Sequence, residues 1–209
     1  MTRLILVRHG QTDWNVKERF RGRFDVPLNE TGVRQARLTA RRISNTWKPS
    51  AVYSSPLIRA MTTAQAIAQP FSLPVQELPE IIDMNFGAWE GLSPDEVRTQ
   101  WPEALAAWYS APHTVLIPGG ESLHHVRYRC EHALDILEEA HPHQTVIAVG
   151  HTDLNRTLLL LVLGLGNDRL WHLRQDTCAI NEIEIENGNF TLVSMNETSH
   201  LTEDSPPLS

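Results

Sequence analysis

An arginine, a histidine and a glycine follow directly on a short hydrophobic run near the start of the chain. Residues 4–7 are typical of a buried strand, and Arg8, His9 and Gly10 stand at its end. In an open α/β sheet, ligands bind beyond the carboxyl ends of the strands. A guanidinium matches phosphate oxygens, a neutral imidazole is a nucleophile, and a glycine lets the backbone approach an anion closely. These residue types in this order predict a phosphoryl-transfer site.

The elements that must position these residues alternate between strands and helices. Apolar residues spaced three and four apart predict a helix from Val33 to Trp47, and Ser55 is expected to cap the next helix with Pro56 at its first position. Residues 145–149 are the clearest internal strand, a helix begins near Leu154, and strand candidates occupy residues 51–53, 179–185 and 190–194. This order predicts a three-layer α/β sandwich, in which a mostly parallel central sheet carries helices on both faces.

We expect a single domain over residues 1–201 and a disordered polar tail over residues 202–209. The aromatic and acidic stretch near residues 78–120 interrupts the alternation, and insertions of this kind commonly act as lids.

The composition limits the partners of the protein. The net charge of −7 argues against nucleic acid, whose binding rests on an excess of lysine and arginine. No apolar run approaches the ~20 residues that cross a bilayer, and no leader precedes the first strand, so we expect a cytoplasmic protein without membrane contact. Cys130 and Cys178 are expected to be buried thiols rather than a disulfide. A small anion would need arginines focused in one cleft against the negative background.

Six segments, taken in order, resemble the signature of the histidine phosphatase superfamily, which has the phosphoglycerate-mutase-like fold. The first is Arg8-His9-Gly10-Gln11-Thr12 followed by Trp14-Asn15. The others are the loop from Arg21-Gly22 to Gly32, the segment 54–60 with Arg59, the segment 86–91, Gly119-Gly120-Glu121-Ser122, and Val149-Gly150-His151-Thr152. Together they cover roughly residues 1 to 195.

The resemblance implies a role for each matching residue. His9 is the nucleophile that becomes a phosphohistidine, Arg8 and Arg59 hold the phosphoryl oxygens, and His151 is a further donor to them. Asn15, Gln11 and Gly22 are additional substrate contacts. With two arginines and two histidines, such a site needs neither a metal ion nor another cofactor.

The leaving oxygen needs a proton, so a carboxylic acid should face it. Members of this family usually have a glutamate four residues before the glycine that matches Gly87. Here that position is Asp83, which is one methylene shorter. Glu80 and Glu90 are the alternatives if the loop shifts, although Glu90 also fits a loop-fixing role.

The favoured reaction is hydrolysis of a phosphomonoester of a small metabolite. Phosphoserine, α-ribazole phosphate and a broad substrate range remain open, and Arg21, Phe86, His113 and His200 are the candidate specificity residues. Phosphoglycerate mutase is the first alternative, and a non-catalytic module that binds phospho-ligands is the second. His124-His125 and His141-Pro142-His143 lack partners at metal-ligand spacing, so we expect surface histidines there. The leucine-rich residues 158–163 fit core packing or a homodimer interface.

Overall fold

The computed structural model describes residues 1–202 and confirms the α/β fold. A six-stranded sheet with the order β3-β2-β4-β1-β5-β6 runs through the middle of the molecule. Its strands are β1 (Thr2–Arg8), β2 (Ala51–Ser54), β3 (Val75–Glu77), β4 (Thr145–Gly150), β5 (Ile180–Glu186) and β6 (Asn189–Glu197). The first four strands are mutually parallel, whereas β5 and β6 pair antiparallel at one edge.

Helices cover both faces of the sheet, as the sequence predicts. They are α1 (Asp13–Val16), α2 (Glu30–Thr46), α3 (Ile58–Ala68), α4 (Pro94–Gln100), α5 (Pro102–Ser110), α6 (Leu123–Ala140) and α7 (Thr152–Val162). Because side chains alternate along a strand, Leu4 and Leu6 pack into one core with α6 and α7, and Ile5 and Val7 into another with α2 and α3.

The register of the two central strands positions the chemistry. β1 and β4 run parallel, and Arg8 lies opposite Gly150. The next residues, His9 and His151, therefore leave the sheet side by side at its carboxyl edge.

The stretch between β3 and α6 packs firmly against the rest of the molecule. It contains α4, α5 and short 3-10 turns over Pro79–Ile81, Gly87–Trp89 and Pro112–Thr114. Trp89 and Trp108 are almost completely buried in the core that α6 and α7 share. A lid function of this insertion stays a prediction.

Some local predictions need correction. Ser55 does not cap α3, because the helix begins only at Ile58 and Leu57 occupies the capping position without a side-chain hydrogen bond. α7 begins at Thr152, two residues before the predicted start at Leu154. Of the predicted tail, Thr202 ends a short turn, and residues 203–209 lie outside the described part of the chain.

Other sequence features have a defined place. Cys130 and Cys178 are buried free thiols, and burial raises the pKa of each to about 12. Residues 158–160 and Val162 are core residues, whereas Leu163 is partly exposed. Within residues 1–202, no helix is both long and apolar enough to span a membrane.

Candidate active site

His9 and His151 form the centre of the site. Their ring centroids are 5.1 Å apart, and both side chains are fully buried at the ends of β1 and β4. The backbone N–H of His9 donates to the carbonyl of Gly150, which ties the two strand ends together at 3.1 Å. The two imidazoles thus share one enclosed position at the sheet edge.

A backbone carbonyl sets the tautomer of His9. Its Nδ1 lies 2.7 Å from the carbonyl oxygen of Gly10. A carbonyl oxygen only accepts hydrogen bonds, so Nδ1 must carry the proton and Nε2 has a free lone pair. Nε2 is buried and has no hydrogen-bond partner among residues 1–202. Nε2 is therefore the available nucleophilic atom.

Burial and neighbouring arginines keep both imidazoles neutral. Burial is the main reason why the pKa of His9 lies well below its usual value, and Arg59, His151 and Arg8 lower it further. Burial likewise lowers the pKa of His151, with Arg59, Arg21 and Arg8 as the next largest causes. A neutral His9 retains the lone pair that a nucleophile needs.

Arg8 occupies the last position of β1 and turns its guanidinium into a cavity beside the histidines. Its Nη1 donates to the carbonyl of Gln175 at 2.6 Å, and its Nε has no partner among the described residues. Burial, followed by repulsion from Arg21 and Arg156, lowers the pKa of Arg8 to about 9. The side chain thus remains a cation at neutral pH.

Arg59 is completely buried in the first turn of α3. Its Nη1 donates to the carbonyl of Phe24, and its Nη2 to the carbonyl of Gly22, both at 2.7 Å. Gly22 has a φ of +51°, a left-handed conformation that glycine adopts without strain. The loop before α2 therefore aims two carbonyls at one guanidinium and holds it in place.

Asp83 completes the cluster. Its Oδ2 lies 2.9 Å from Nη2 of Arg59 and 3.5 Å from Nδ1 of His151, and its Oδ1 accepts from the backbone N–H of Met84. The two alternative carboxylates lie elsewhere. Glu80 faces His132 at 3.6 Å, and Glu90 accepts from the backbone N–H groups of Arg23 and Phe86.

The other predicted residues divide into two groups. Asn15, Arg21, Gly22 and Phe86 line the same cavity as Arg8 and Asp83. Asn15 also has a structural task there, because its Oδ1 accepts from the N–H and hydroxyl groups of Thr12.

Gln11, His113 and His200 do not line this cavity. Gln11 accepts from Asn29 and donates its backbone N–H to Gln35, which anchors the start of α2. His113 is exposed on the turn after α5. His200 is buried against α2, with Nε2 at 3.0 Å from the Thr39 hydroxyl, so the specificity role predicted for these two histidines is not supported.

Sequence reasoning missed three residues that support the site. The hydroxyl of Ser55 lies 2.7 Å from Nε2 of His151, although the Ser-Pro pair had indicated a helix cap. Thr63 accepts from the backbone N–H of Gly10, and Gln175 supplies the carbonyl that holds Arg8. The last two belong to a helix face and a late loop, which carry no local signal for such a role.

The cavity beside these residues has a volume of about 400 Å³ and suits a small ligand, although His9, His151 and Arg59 are themselves fully buried and do not line it. Its lining includes Arg8 and Asp83, several aromatic side chains, and further charged groups of the loop between α1 and α2 and of α7. Across residues 1–202, no three His, Cys, Asp or Glu side chains are grouped so that they could hold a metal ion.

Comparisons with known proteins identify the family of the chain. A family model described as the histidine phosphatase superfamily (branch 1) matches residues 4–198. Phosphoserine phosphatase 1 of Hydrogenobacter thermophilus is 36% identical over 203 residues, which is 97% of this chain and 96% of that protein. The metal-independent phosphoserine phosphatase of Arabidopsis thaliana is 32% identical over 97% of this chain and 84% of its own. A solved structure, the putative α-ribazole-5'-P phosphatase of Escherichia coli, is 28% identical and superposes with a TM-score of 0.86 over 94% of this chain and 96% of its own.

Proposed function

The chain belongs to the histidine phosphatase superfamily, and we propose that it hydrolyses small phosphomonoesters through a phosphohistidine formed on His9. It is a phosphatase by family and by its relatives. One observation carries the proposed mechanism. Nε2 of His9 is buried and unpartnered, its proton is held on Nδ1 by the Gly10 carbonyl, and guanidinium groups surround it.

In the first half of the reaction, the lone pair of Nε2 attacks phosphorus and the bond from phosphorus to the ester oxygen breaks. The N–H of Nδ1 remains on the carbonyl of Gly10, which stabilises the cationic ring of the phosphohistidine. Arg8 and Arg59 neutralise the oxygens on which charge accumulates, and they do so in an enclosed site where water screens little.

Asp83 acts as the general acid and then as the general base. In its acid form it protonates the departing ester oxygen, and the alcohol leaves. The resulting carboxylate then removes a proton from water, whose oxygen attacks phosphorus as Nε2 recovers its lone pair. Inorganic phosphate is released and His9 is neutral again. Support for this role comes from the contacts of Asp83 with Arg59 and His151, the two groups beside the reacting atoms.

The absence of a metal requirement and the substrate-binding role of Asn15 and Gly22 are further parts of this proposal. The arginines supply the positive charge that a metal ion would provide, so we expect the reaction to proceed without one, like that of the plant relative named metal-independent. Asn15 and the backbone at Gly22 are assigned to substrate binding because they line the cavity. A single domain over residues 1–201, the cytoplasmic location and a homodimer stay predictions.

The mutase and the non-catalytic module are tested against the phosphatase in one set of assays. The wild-type protein is assayed in EDTA with phosphoserine, α-ribazole phosphate, p-nitrophenyl phosphate, and 3-phosphoglycerate with and without bisphosphoglycerate. Phosphate release that persists in EDTA supports the proposal, whereas loss of release on chelation, or interconversion of phosphoglycerates faster than any hydrolysis, contradicts it.

The intermediate is tested by rapid quenching with ³²P-labelled substrate. We expect an acid-labile, base-stable phosphoprotein in the wild type and none in His9→Ala, with turnover reduced by at least a thousandfold, since the covalent route is lost. His113→Ala, which replaces an exposed histidine, is the control. Full labelling of His9→Ala would overturn the assignment of the nucleophile.

A further inference from the structure

The cavity continues beyond the phosphoryl centre and contains charges that the reaction does not use. Arg21 lies on the loop between α1 and α2, and Asp153 lies in the first turn of α7. Both line the cavity with Arg8 and Asp83. Asp83 connects this space to the buried site through its contacts with Arg59 and His151, so a group attached to a phosphate on His9 would extend into the cavity and meet these side chains.

Arg21 is a cation without a counter-ion. Within residues 1–202, no carboxylate lies within ion-pair distance of its guanidinium, and its Nε is buried without a hydrogen-bond partner. Its neighbour Arg23 is paired, with Nη2 at 3.3 Å from Glu121. Burial lowers the pKa of Arg21, and Asp83, Arg59 and Asp153 are the charges that act on it most. A partly buried, unpaired guanidinium favours an anionic ligand group.

Asp153 supplies the opposite charge on α7. Its Oδ1 accepts from Nη1 of Arg156 at 3.1 Å, and only 15% of its side chain is exposed. Arg156 is further engaged by the carbonyl of Leu173 and by the ring of Trp171, 5.1 Å from its guanidinium carbon. Arg156 is thereby held against the wall, while Asp153 retains acceptor capacity toward the cavity.

Aromatic side chains form a large part of the cavity wall. Phe20, Phe86, Trp108, Tyr109 and Trp171 line the cavity, and the rings of Phe86 and Trp108 meet edge to face with centroids 5.6 Å apart. Aromatic faces attract a cation that lies over them. Next to Asp153 they therefore favour an ammonium group and exclude a second phosphate, which would meet a carboxylate.

We propose that Arg21 and Asp153 bind the carboxylate and the ammonium of a phosphorylated amino acid, and so select that substrate class. The inference rests on the proposed phosphatase function. The two groups of such a ligand share one carbon, close to the phosphate ester, which fits two opposite charges that interact across one small cavity. Neither residue takes part in the chemical steps assigned to His9, Asp83 and the two phosphate arginines.

Four substrates that differ by one group at a time test the proposal. O-phosphoserine carries both the carboxylate and the ammonium, 3-phosphoglycerate replaces the ammonium with a hydroxyl, phosphoethanolamine lacks the carboxylate, and 2-hydroxyethyl phosphate lacks both. We expect the wild-type kcat/KM to be highest for phosphoserine and to fall about tenfold or more with each missing charge, since a hydrogen-bonded charge contact is worth that much.

Two variants, each of which removes one charge, assign each contact. Arg21→Gln should lower kcat/KM about tenfold or more for the two carboxylate substrates relative to the two without a carboxylate. Asp153→Asn should do the same for the two ammonium substrates relative to the two hydroxyl substrates. Arg23→Gln is the control on the same loop. Asp95→Asn is the control for Asp153, because Asp95 forms the same i,i+3 pair with Arg98 in a first turn, but on the surface.

Each contrary outcome has a distinct meaning. Equal losses on all four substrates in Arg21→Gln would place Arg21 on the phosphoryl group and overturn the proposal. So would a wild-type enzyme that hydrolyses 2-hydroxyethyl phosphate as well as phosphoserine, or one that prefers α-ribazole phosphate and whose preference neither variant changes. Failure to hydrolyse any of these esters or p-nitrophenyl phosphate would instead refute the proposed function itself.

Discussion

A nucleophilic histidine depends on what holds its other nitrogen. In His9 the Gly10 carbonyl binds Nδ1, so that the lone pair is confined to Nε2. The low pKa that burial and Arg59 impose keeps this lone pair free well below the pH at which an exposed imidazole becomes protonated. Gly10 therefore sets the direction of the proposed nucleophile, while burial and then Arg59 keep its lone pair available.

Among single residues, substitution of Asp83 by asparagine separates the proposed proton transfer from the contact of this side chain with Arg59. Asparagine retains an oxygen that can accept from Arg59 but has no acidic proton to give to the leaving oxygen. General acid catalysis contributes about 10²–10⁴ in rate, so we expect kcat/KM for phosphoserine, which reports the steps up to release of the alcohol, to fall by about that factor. The kcat/KM for p-nitrophenyl phosphate should fall much less, because p-nitrophenolate leaves without a proton.

Asp83→Glu provides the rescue control, because it restores the acid at nearly the same place. We expect it to recover most of the kcat/KM for phosphoserine that Asp83→Asn loses. If Asp83→Asn lowers kcat/KM equally for both esters, Asp83 is a structural partner of Arg59 rather than the proton donor.

Most central residues of the candidate site were predictable, because they follow strands in a motif of fixed order. The supporting residues were not predictable, because their hydrogen-bond partners are distant in sequence. Arg8, His9 and His151 stand at strand ends that hydrophobic runs identify. Ser55 was interpreted as a helix cap, since Ser-Pro fits that pattern, yet its hydroxyl is 2.7 Å from His151, 96 residues away. His200 is bound to Thr39 in the same long-range manner, which no local pattern indicates.

Among elements, the loop between α1 and α2 is held in place by the turn that follows Asp83. Glu90 accepts from the backbone N–H of Arg23 at 2.9 Å and from that of Phe86 at 3.1 Å. It also lies so close to Gly22 that a Cβ there would meet its Oε1 at 2.0 Å. The carbonyls of Gly22 and Phe24, which orient Arg59, thus depend on a carboxylate from another element.

Removal of that carboxylate should weaken the phosphate site without unfolding the domain. We expect Glu90→Ala to lower kcat/KM and the affinity for inorganic phosphate about tenfold each, because it removes the hydrogen bond to Arg23 in the loop and the one to Phe86 in the supporting turn, each worth about 1 kcal/mol. Calorimetric titration with phosphate measures the affinity, and thermal unfolding checks the fold. Glu90→Gln keeps an acceptor and should retain most of the affinity. Unchanged phosphate binding in Glu90→Ala would contradict this linkage.

The long, buried strands were predicted more accurately than the short, exposed one. β1 and β4 are buried on both faces and read as continuous apolar runs, so both were identified within a residue or two. β3 has three residues and is largely exposed, and nothing in the sequence distinguishes it from a loop. The register that places Arg8 opposite Gly150 is not readable from such runs, because an apolar strand has no alternating pattern to fix it.

Over the whole molecule, charge is distributed unevenly. The chain has a net charge of −7, yet Arg8, Arg21 and Arg59 come together around two neutral histidines. A cationic cleft in a negative protein attracts small anions and repels large polyanions. A small phosphorylated substrate fits this charge distribution, and the arginines add to burial in keeping the imidazoles neutral.

That arrangement makes folding stability depend on pH. The pKa of His9 and of His151 is lowered in the folded state, first by burial and then by Arg59, and Arg8 and Arg21 lower both further. Arg129 also acts on His151, and Asp83 lies 3.5 Å from its Nδ1 as an opposing charge. In the unfolded chain both groups have a pKa of about 6.5. As the pH falls below that value, the unfolded state takes up protons that the folded state cannot accept, so the free energy of unfolding must decrease.

Each histidine whose pKa is lowered in the folded state adds up to about 1.4 kcal/mol per pH unit to the slope of the free energy of unfolding against pH. We expect the free energy of unfolding, from urea titrations in phosphate-free buffer between pH 7.5 and 5.5, to fall more steeply in the wild type than in His151→Gln. Glutamine does not titrate, so one of the two contributions disappears even if the variant is less stable throughout. His113→Gln, at an exposed position, controls for the loss of any histidine. Equal slopes in the wild type and His151→Gln would mean that His151 gains its proton in the folded protein. The inference that both imidazoles at the centre of the site are neutral would then be wrong.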